Sequence, residues 1–433
     1  MKKVAQHLFL QTLTGIQIPA IFARKLNREG SIIQAAGGPI DLRDFREIVV
    51  ISFGKASFPM AEALSDILAP EFPVEGILVG PGSPPRTLPG WKTFVGGHPL
   101  PTEESFAAGR AILNRLARCG EHSLVFFLIS GGGSAMVEQP LHVGITLEDF
   151  QKLHFALVTC GAPIEEINVI RKHLSATKGG RLAAAARRAT KITFAISDVP
   201  EGQESALASG PTLPDPTTVQ DAEKIVRIYD LLPKLPPSVC ELFERRVLGE
   251  TPKPGDPPFA RSYFELLLRT HDLTHACHHA CEGEGFVCLA DNSTDNWPIE
   301  KAADYLLQQL EALKNDNLGR RVALMAGGEV SSPVTGKGIG GRNSAFVLAC
   351  VPKIAGKKIT VLSAGTDGID GNSPAAGAVA DGETLQRGRA AGLEPGEFLR
   401  RSDSYSFFKL LDDVIITGPT ANNLRDLRIL LTY

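Results

Sequence analysis

Short apolar runs recur along the chain, and several of them end in a glycine-rich or polar turn that is followed by a helical pattern. The clearest runs cover residues 48–52, 125–129, 192–196, 322–325 and 359–362. Runs of this length are typical of buried strands, and their alternation with helical segments is typical of βα units. The sequence therefore predicts an α/β protein built on a parallel sheet.

A proline-rich stretch between residues 231 and 258 interrupts this pattern. Proline disfavours the interiors of helices and strands, and 433 residues exceed one ordinary domain. We therefore expect two domains, over residues 1–245 and 259–433. After the boundary, the pattern predicts helices around residues 262–281 and 298–314.

Composition excludes several classes of protein. The 45 Lys and Arg residues balance 48 Asp and Glu, and no basic run stands out, which argues against nucleic-acid and acidic-membrane partners. No apolar stretch approaches the roughly 18 residues of a membrane span, and the first residues predict an amphipathic helix rather than a signal peptide. Seven cysteines, an odd number, indicate reduced thiols. We expect a soluble, cytoplasmic enzyme.

Two of the predicted strands lead into loops suited to anions. In open parallel sheets, ligands bind beyond the carboxyl ends of the strands. Residues 130–134 read Ser-Gly-Gly-Gly-Ser, whose N–H groups could hold a phosphate or carboxylate, although a tight turn alone also needs glycine. Lys55, in Ser-Phe-Gly-Lys-Ala (52–56), is either a phosphate-facing ammonium at the same edge or a surface lysine. This is no Walker A motif, because Ala56 stands where Ser or Thr is required.

Carboxylates follow two other strands. Asp198 comes directly after residues 192–196, where it could bind Mg²⁺, accept a hydroxyl proton or cap a turn. Asp367 and Asp370 lie in Gly-Thr-Asp-Gly-Ile-Asp-Gly (365–371) and are either metal ligands or turn residues. No EF-hand spacing is present.

A third glycine cluster has the spacing of a dinucleotide-binding loop. Gly336, Gly338 and Gly341 satisfy G-x-G-x-x-G, and a helical pattern follows. Pro333 interrupts any strand before the loop, however, and Arg342 directly after the last glycine favours an anion clamp. Glycine turns, strand-end cations and carboxylates together are what phosphoryl transfer requires, because that reaction depends on positioning and charge neutralisation.

A histidine stripe offers a competing hypothesis. His271, His275 and His279 recur every four residues on one predicted helix, and such a stripe could bind zinc. Cys277 and Cys281 would fall on another face, so we favour a structural helix. His98, after Gly-Gly at a predicted strand end, is either a turn residue or part of a site.

Ten ordered motifs give the sequence a family resemblance. It resembles the glycerate 2-kinases of the MOFRL family, also called hydroxypyruvate reductase-like kinases, over nearly its whole length. The matching stretches are residues 52–56, 97–101, 130–134, 173–181, 197–200, 208–212, 327–329, 340–343, 366–371 and 417–420.

The resemblance implies a fold and an activity. It implies a Rossmann-like N-terminal lobe, a smaller α/β C-terminal MOFRL lobe and an active site in the cleft between them. The reaction would be the ATP- and Mg²⁺-dependent phosphorylation of D-glycerate to 2-phosphoglycerate. Lys55 and Arg342 would be the catalytic pair that neutralises charge on the γ-phosphoryl oxygens. Asp198 would activate the glycerate hydroxyl or bind Mg²⁺.

The other motif residues are expected to bind D-glycerate or ATP, and Asp367 is also a candidate metal ligand. They are Ser130, Gly131, Gly132, Gly133, Ser134, Lys178, Ser209, Gly210, Thr212, Glu329, Gly340, Gly341, Asn343, Thr366 and Asp367.

The sequence also departs from the family pattern. Residues 200–204 read Pro-Glu-Gly-Gln-Glu where the family has Pro-Gly-Asp-Asp, which affects the expected metal site. Ser344 and Ala345 replace the usual Gln-Glu, and residues 421–423 replace Gly-Thr-Asn. Two alternatives stay open: an NAD(P)H-linked hydroxypyruvate reductase, and a non-catalytic metal-binding protein on this scaffold. A homodimer is also left open.

Overall fold

Two units, each with its own sheet, make up the chain. The computed structural model describes residues 1–35, 37–197, 199, 202–420, 422 and 424–432. The central unit comprises residues 18–267, and the terminal unit combines residues 1–17 with residues 268–433. This division differs from the boundary that the proline-rich stretch suggested.

The proline-rich stretch belongs to the central unit because its backbone is docked there. The backbone N–H of Asp215 donates to the carbonyl of Pro252 at 2.9 Å, and Lys253 Nζ donates to Thr251 Oγ1 at 2.8 Å. Proline is tolerated in the first turn of a helix, as in the helix Pro237–Glu244 of this stretch, and it does not prevent packing. The chain instead leaves the central unit at residue 267.

The terminal unit begins with the helix α1 (Lys2–Gly15), whose buried face comprises Ala5, Leu8, Phe9 and Thr12. This confirms the amphipathic helix predicted at the start of the chain.

The central unit contains nine strands and nine helices among its described residues. Its strands are β1 (Arg28–Glu29), β2 (Ile32–Ala35), β3 (Gly38–Asp41), β4 (Glu47–Phe53), β5 (Val74–Gly80), β6 (Trp91–Val95), β7 (Ser123–Ile129), β8 (Thr190–Ile196) and β9 (Ser262–Leu268). Its helices are α2 (Ile18–Lys25), α3 (Ser57–Leu68), α4 (Glu103–Leu116), α5 (Gly133–Met136), α6 (Leu147–Thr159), α7 (Ile164–Leu174), α8 (Arg181–Ala185), α9 (Val219–Ile228) and α10 (Pro237–Glu244).

The large sheet of this unit is Rossmann-like. Its strand order is β6-β5-β4-β7-β8-β9, and each pairing from β6 to β8 is parallel. The strand of this sheet that comes first in the sequence, β4, therefore lies between β5 and β7, and the strand order reverses there. The carboxyl ends of β4 and β7 lie side by side, with Phe53 paired to Ile129. Such a reversal is where open α/β sheets bind ligands.

The terminal unit has a mixed sheet. Its strands are β10 (Val287–Ala290), β11 (Val322–Gly327), β12 (Ile359–Gly365), β13 (Gly377–Asp381), β14 (Val414–Ile415) and β15 (Asp426–Thr432). Its further helices are α11 (Thr270–Gly283), α12 (Ile299–Asp316), α13 (Arg342–Ile354), α14 (Thr384–Ala390), α15 (Pro395–Arg400) and α16 (Ser404–Leu410). The sheet order is β10-β11-β15-β12-β13-β14, and Leu324, Val361 and Leu430 share its buried core.

The α/β class, the parallel sheet of the first lobe and all five predicted strands are confirmed. In the terminal unit, however, β11 and β12 do not pair with each other, because β15 lies between them and is antiparallel to both. The helix predicted around residues 262–281 is wrong in its first part, where Ser262–Leu268 forms β9. Arg269, extended at φ −142°, separates that strand from α11. Among the described residues, no helix is long and apolar enough to cross a membrane.

Candidate active site

The loops after β4 and β7 are hydrogen-bonded to each other at the point where the strand order reverses. The backbone N–H of Lys55 donates to the carbonyl of Gly131 at 2.9 Å, and that of Ala56 donates to Ser130 Oγ at 2.9 Å. Gly54 adopts φ +117°, and a Cβ there would collide with Ser130. The glycine of the Ser-Phe-Gly-Lys motif therefore allows the two loops to approach, and Ser130 holds the turn that carries Lys55.

The loop of residues 130–134 is tightly enclosed. Gly132 adopts φ +82°, and a Cβ there would lie 3.1 Å from Cδ2 of His98. The helix that follows, α5, has four residues, so an anion here would rely on loop N–H groups and nearby cations rather than on a long helix dipole. Burial, and then the nearby Lys55 ammonium, lower the pKa of His98. His98 thus lies close to Lys55 above the glycine loop.

Ser134 joins the loop to a segment with unusual backbone conformation. Its Oγ lies 2.9 Å from Ser209 Oγ, which donates to Asn168 Oδ1 at 3.0 Å. Ala208 and Ser209 adopt positive φ angles of 48° and 61°, which are uncommon for residues with side chains. Backbone strain of this kind persists where surrounding contacts enforce it, and it clusters at functional sites.

Other predicted binding residues of the central unit are buried in its framework. The carbonyl of Gly210 accepts from the N–H of Gly180 at 2.7 Å. Thr212 is buried, and its Oγ1 has no hydrogen-bond partner among the described residues. Lys178 is 1 % exposed; its Nζ lies 2.7 Å from Glu138 Oε2 and donates to the carbonyl of Ser134 at 2.8 Å. Lys178 therefore supports the loop from inside.

The first helical residue of α13, Arg342, is held by two carboxylates in the terminal unit. Its Nε donates to Asp426 Oδ2 at 2.5 Å, and its Nη2 lies 2.7 Å from Glu329 Oε1. Burial alone would lower the pKa of Arg342, but the Asp426 and Glu329 carboxylates raise it. The guanidinium is therefore a fixed cation.

Asp370 occupies the N-terminus of α13. Its carboxylate oxygens accept from the N–H groups of Asn343 and Ser344, both at 2.9 Å, and from Ser344 Oγ at 2.5 Å. Burial raises the pKa of Asp370 despite these hydrogen bonds. Asn343 is itself buried and accepts from Ser363 Oγ at 2.6 Å. An aspartate of the protein, rather than a ligand, thus caps this helix.

Close packing explains the G-x-G-x-x-G spacing. A Cβ on Gly336 or Gly338 would collide with the segment 401–403, one on Gly340 with Ser404, and one on Gly341 with Asp370. Gly327 ends β11, so fourteen residues separate the strand from α13. In a dinucleotide-binding fold the glycines follow the strand directly, so this loop lacks that context.

The loop after β12 holds one buried and one partly buried side chain. Thr366 is buried; its Oγ1 donates to the carbonyl of Arg425 at 2.8 Å and accepts from the N–H of Leu424 at 2.8 Å. Asp367 is partly buried, and its Oδ1 accepts from the N–H of Ile369 at 3.1 Å. Thr366 is therefore structural, whereas the Asp367 carboxylate reaches the protein surface.

The two remaining candidate metal sites are Asp198 and the histidine stripe on α11. Asp198 lies outside the described residues. On α11, the rings of His275 and His279 are 4.5 Å apart, and Cys277 and Cys281 are buried. No group of three or more His, Cys, Asp or Glu residues in the described part of the chain could hold a metal ion.

Several residues of these sites were not singled out from the sequence. In the terminal unit they are Asp426 and Arg425, whose guanidinium makes two hydrogen bonds of 2.6 and 2.7 Å to Asp295. In the central unit they include His154 and Arg171, which lie inside α6 and α7. The charged residues Arg425, Asp426 and Arg428 at the start of a final apolar run are the one signal that could have found the first group.

Comparison with known families matches both parts of the chain. A family profile described as a domain of unknown function (DUF4147) matches residues 4–244, and one described as the MOFRL family matches residues 322–426. The fold and these matches define a two-unit α/β protein with a C-terminal MOFRL domain.

Individual relatives of known name show which family the chain belongs to. The chain is 33% identical to a D-glycerate 2-kinase of Thermotoga maritima over 385 residues, 88% of this chain and 90% of the relative. It is 36% identical to a putative hydroxypyruvate reductase of Agrobacterium vitis, over 88% of this chain and 98% of the relative. A crystal structure of glycerate kinase from T. maritima matches with a TM-score of 0.86 and 30% identity, covering 100% of this chain and 99% of that one. The chain belongs to the glycerate 2-kinase family of MOFRL proteins.

Proposed function

We propose that this protein is an ATP-dependent glycerate 2-kinase. The terminal phosphoryl group of ATP passes to the 2-hydroxyl oxygen of D-glycerate, which loses its proton. The bond between the terminal phosphorus and the bridging oxygen breaks, and ADP leaves with that oxygen. The observation that carries this proposal is the pair of joined loops at the strand-order reversal, where Lys55 is bonded to Gly131 beside His98. The family relationship supports the same reaction.

Lys55 and Arg342 are the proposed catalytic cations. Phosphoryl transfer needs positioned positive charge rather than a strong nucleophile. Arg342 meets this requirement because Asp426 and Glu329 fix its guanidinium. We assign Asp198, from its sequence position, to proton acceptance from the hydroxyl or to metal binding.

The carboxylates of the terminal unit fit a magnesium ion shared with phosphates. A Cβ placed on Gly365 would lie 3.0 Å from Asp367 Oδ1 and 3.5 Å from Asp426 Oδ1, so both oxygens flank this glycine. Mg²⁺ prefers hard oxygen ligands and commonly takes one or two carboxylates together with substrate phosphates. We propose that Asp367 contributes one ligand. The ion would neutralise charge on the nucleotide phosphates.

Hydroxypyruvate reduction is the second candidate, because the A. vitis relative carries that name. The glycine loop that could bind a dinucleotide is filled by residues 401–404 and Asp370, which favours the kinase. We also propose a cytoplasmic location, since all seven cysteines are free thiols.

A coupled assay separates these functions. The kinase releases ADP only when D-glycerate, ATP and Mg²⁺ are all present, and phosphorus NMR places the ester on the 2-oxygen. Chelation of Mg²⁺ should abolish turnover, and Asp367→Asn should raise the Mg²⁺ concentration needed by about tenfold. Oxidation of NADH with hydroxypyruvate, without ADP release, would instead identify a reductase.

A further inference from the structure

A small cavity of the central unit lies directly beside the glycine loop. Its polar lining is Ser134, Glu138, His154 and Arg171, and its apolar lining includes Phe150 and Leu153. The free space is about 10 Å³, close to the volume that one water molecule requires. Ser134 belongs both to this cavity and to the loop of residues 130–134. The cavity can therefore receive an atom of a ligand bound at the loop.

Arg171 brings a positive charge into this cavity, where Glu138 is the carboxylate that acts on it. It lies on α7 and is partly buried, and burial lowers the pKa of its guanidinium. The guanidinium makes no hydrogen bond and no ion pair within 4 Å to any residue that the structure describes. Arginine nevertheless stays protonated in proteins. A buried cation is costly unless an anion compensates it, so this side chain is suited to a negatively charged ligand.

The neighbouring His154 senses the positive charge of Arg171 and is itself neutral near pH 7. Burial, and then Arg171, Lys178 and His98, lower the pKa of His154 to about 4. Glu138 is the one carboxylate among the described residues that line the cavity. That carboxylate is already occupied, since it pairs with Lys178 and accepts from Ser175 Oγ and from the N–H of Gln139. The Glu138 charge also raises the pKa of Arg171 against the effect of burial, so two cations, Lys178 and Arg171, share one carboxylate and one positive charge is left uncompensated.

We propose that Arg171 binds the carboxylate of the small-acid substrate, with one carboxylate oxygen lodged in the cavity beside Ser134. This inference rests on the proposed function and names the anchor of its acceptor substrate. A guanidinium binds a carboxylate through two parallel hydrogen bonds, which fixes the orientation of the acid as well as holding it. The free space holds about one water-sized atom, so a larger head group does not enter. The 2-hydroxyl then projects from the cavity toward the glycine loop.

Steady-state kinetics of Arg171→Gln test the proposal. The expected result is a rise of about 10- to 100-fold in KM for D-glycerate, the loss expected for charge-assisted hydrogen bonds, with KM for ATP changed less than twofold. Arg171→Lys should recover part of the affinity, because it keeps the charge but not the planar fork. The matched control, Arg188→Gln, removes a charge from a side chain that is 74% exposed and should leave both constants unchanged. If KM for ATP rises instead, the site holds a nucleotide phosphate and the proposal is wrong.

A binding measurement without turnover tests the role of Arg171 separately from the proposed kinase function. Calorimetry with D-glycerate and without ATP should detect binding to the wild type and at least tenfold weaker binding to Arg171→Gln. Glycerol, in which a hydroxymethyl group replaces the carboxylate, should bind both proteins equally weakly. Equal binding of D-glycerate by both proteins would overturn the role of Arg171 and leave the kinase function intact. No binding of D-glycerate by the folded wild type would overturn the proposed anchor, and ADP release in the coupled assay would then decide the kinase function.

Discussion

Arg342 and Asp426 form a paired hydrogen bond across 84 residues of sequence: Nε donates to Oδ2 at 2.5 Å and Nη2 to Oδ1 at 3.5 Å. Arg342 is the first residue of α13, and Asp426 is the first residue of β15. The carboxylate is buried, whereas the guanidinium is 39% exposed. Because the strand is the rigid partner, Asp426 sets the direction in which the Arg342 side chain points.

Asp426→Asn should therefore impair catalysis through Arg342. We expect kcat to fall by about 10- to 100-fold, because a misdirected charge stabilises the transition state poorly, while KM for D-glycerate changes little. Steady-state kinetics alongside a thermal melt separate this effect from unfolding. A full kcat in a folded Asp426→Asn protein would show that Arg342 needs no such support.

Removal of either proposed catalytic cation should have a larger effect. Lys55→Ala and Arg342→Ala should each reduce turnover by about two to four orders of magnitude, as expected when a charge that stabilises the transition state is lost. Lys357→Ala is the matched control, since that side chain is 52% exposed and pairs with Glu311 on the surface. Turnover close to that of the control in both variants would remove Lys55 and Arg342 from these roles.

The ion pair between Lys178 and Glu138 predicts an effect on stability. Both side chains are almost fully buried, so Lys178→Met leaves an unpaired carboxylate in the interior and should cost about 3–5 kcal/mol of unfolding free energy. Urea denaturation measures this loss. Adding Glu138→Gln should restore part of it, and Lys152→Met, which breaks an exposed pair with Glu148, should cost less than about 1 kcal/mol. Equal losses in the two single lysine variants would contradict the buried pair.

The stability of the folded protein should also decrease as the pH is lowered below neutrality. The folded-state pKa of His154 is about 4, below its ordinary value of 6.5, and burial lowers the pKa values of His98, His142 and His173 as well. Between pH 6.5 and 4 the unfolded chain binds more protons at these histidines, so their contribution is complete above pH 6.5 and declines as the pH falls.

The variant His154→Gln removes the contribution of His154 to this pH dependence of stability. Raised pKa values at buried aspartates such as Asp370 act in the opposite direction, so the informative quantity is the difference between wild type and variant. Urea denaturation at pH 7, 6 and 5 should give a shallower loss of stability for His154→Gln. Parallel curves would show that His154 titrates normally in the folded protein.

The sequence predicted the strand ends and their loops because the information there is local. Apolar runs bounded by glycine identify β4 and β7, and the rule that ligands bind beyond the carboxyl ends of parallel strands then places Lys55 and Ser130 at one edge, as observed. Their hydrogen bonds confirm the proximity but leave the assigned ligands as proposals.

The features that the sequence did not reveal depend on contacts between segments that are distant in the sequence. No periodicity shows that β15 lies between β11 and β12, and therefore none shows that Asp426 meets Arg342. Arg171 lies within a helix rather than in a loop, so strand-end reasoning did not reach it. The glycines at residues 336–341 are ambiguous in the sequence, because close packing and ligand contact select the same residue type.

Helix α1 imposes an order of events on the newborn chain. It packs against α11, β12, β13 and β15 of the terminal unit, and all four follow the central unit in the sequence. The central unit is continuous in sequence and can mature while the ribosome is still producing the remainder. Until α11 and the later strands have been synthesised, the apolar stripe of α1 lacks the surface that covers it in the folded protein.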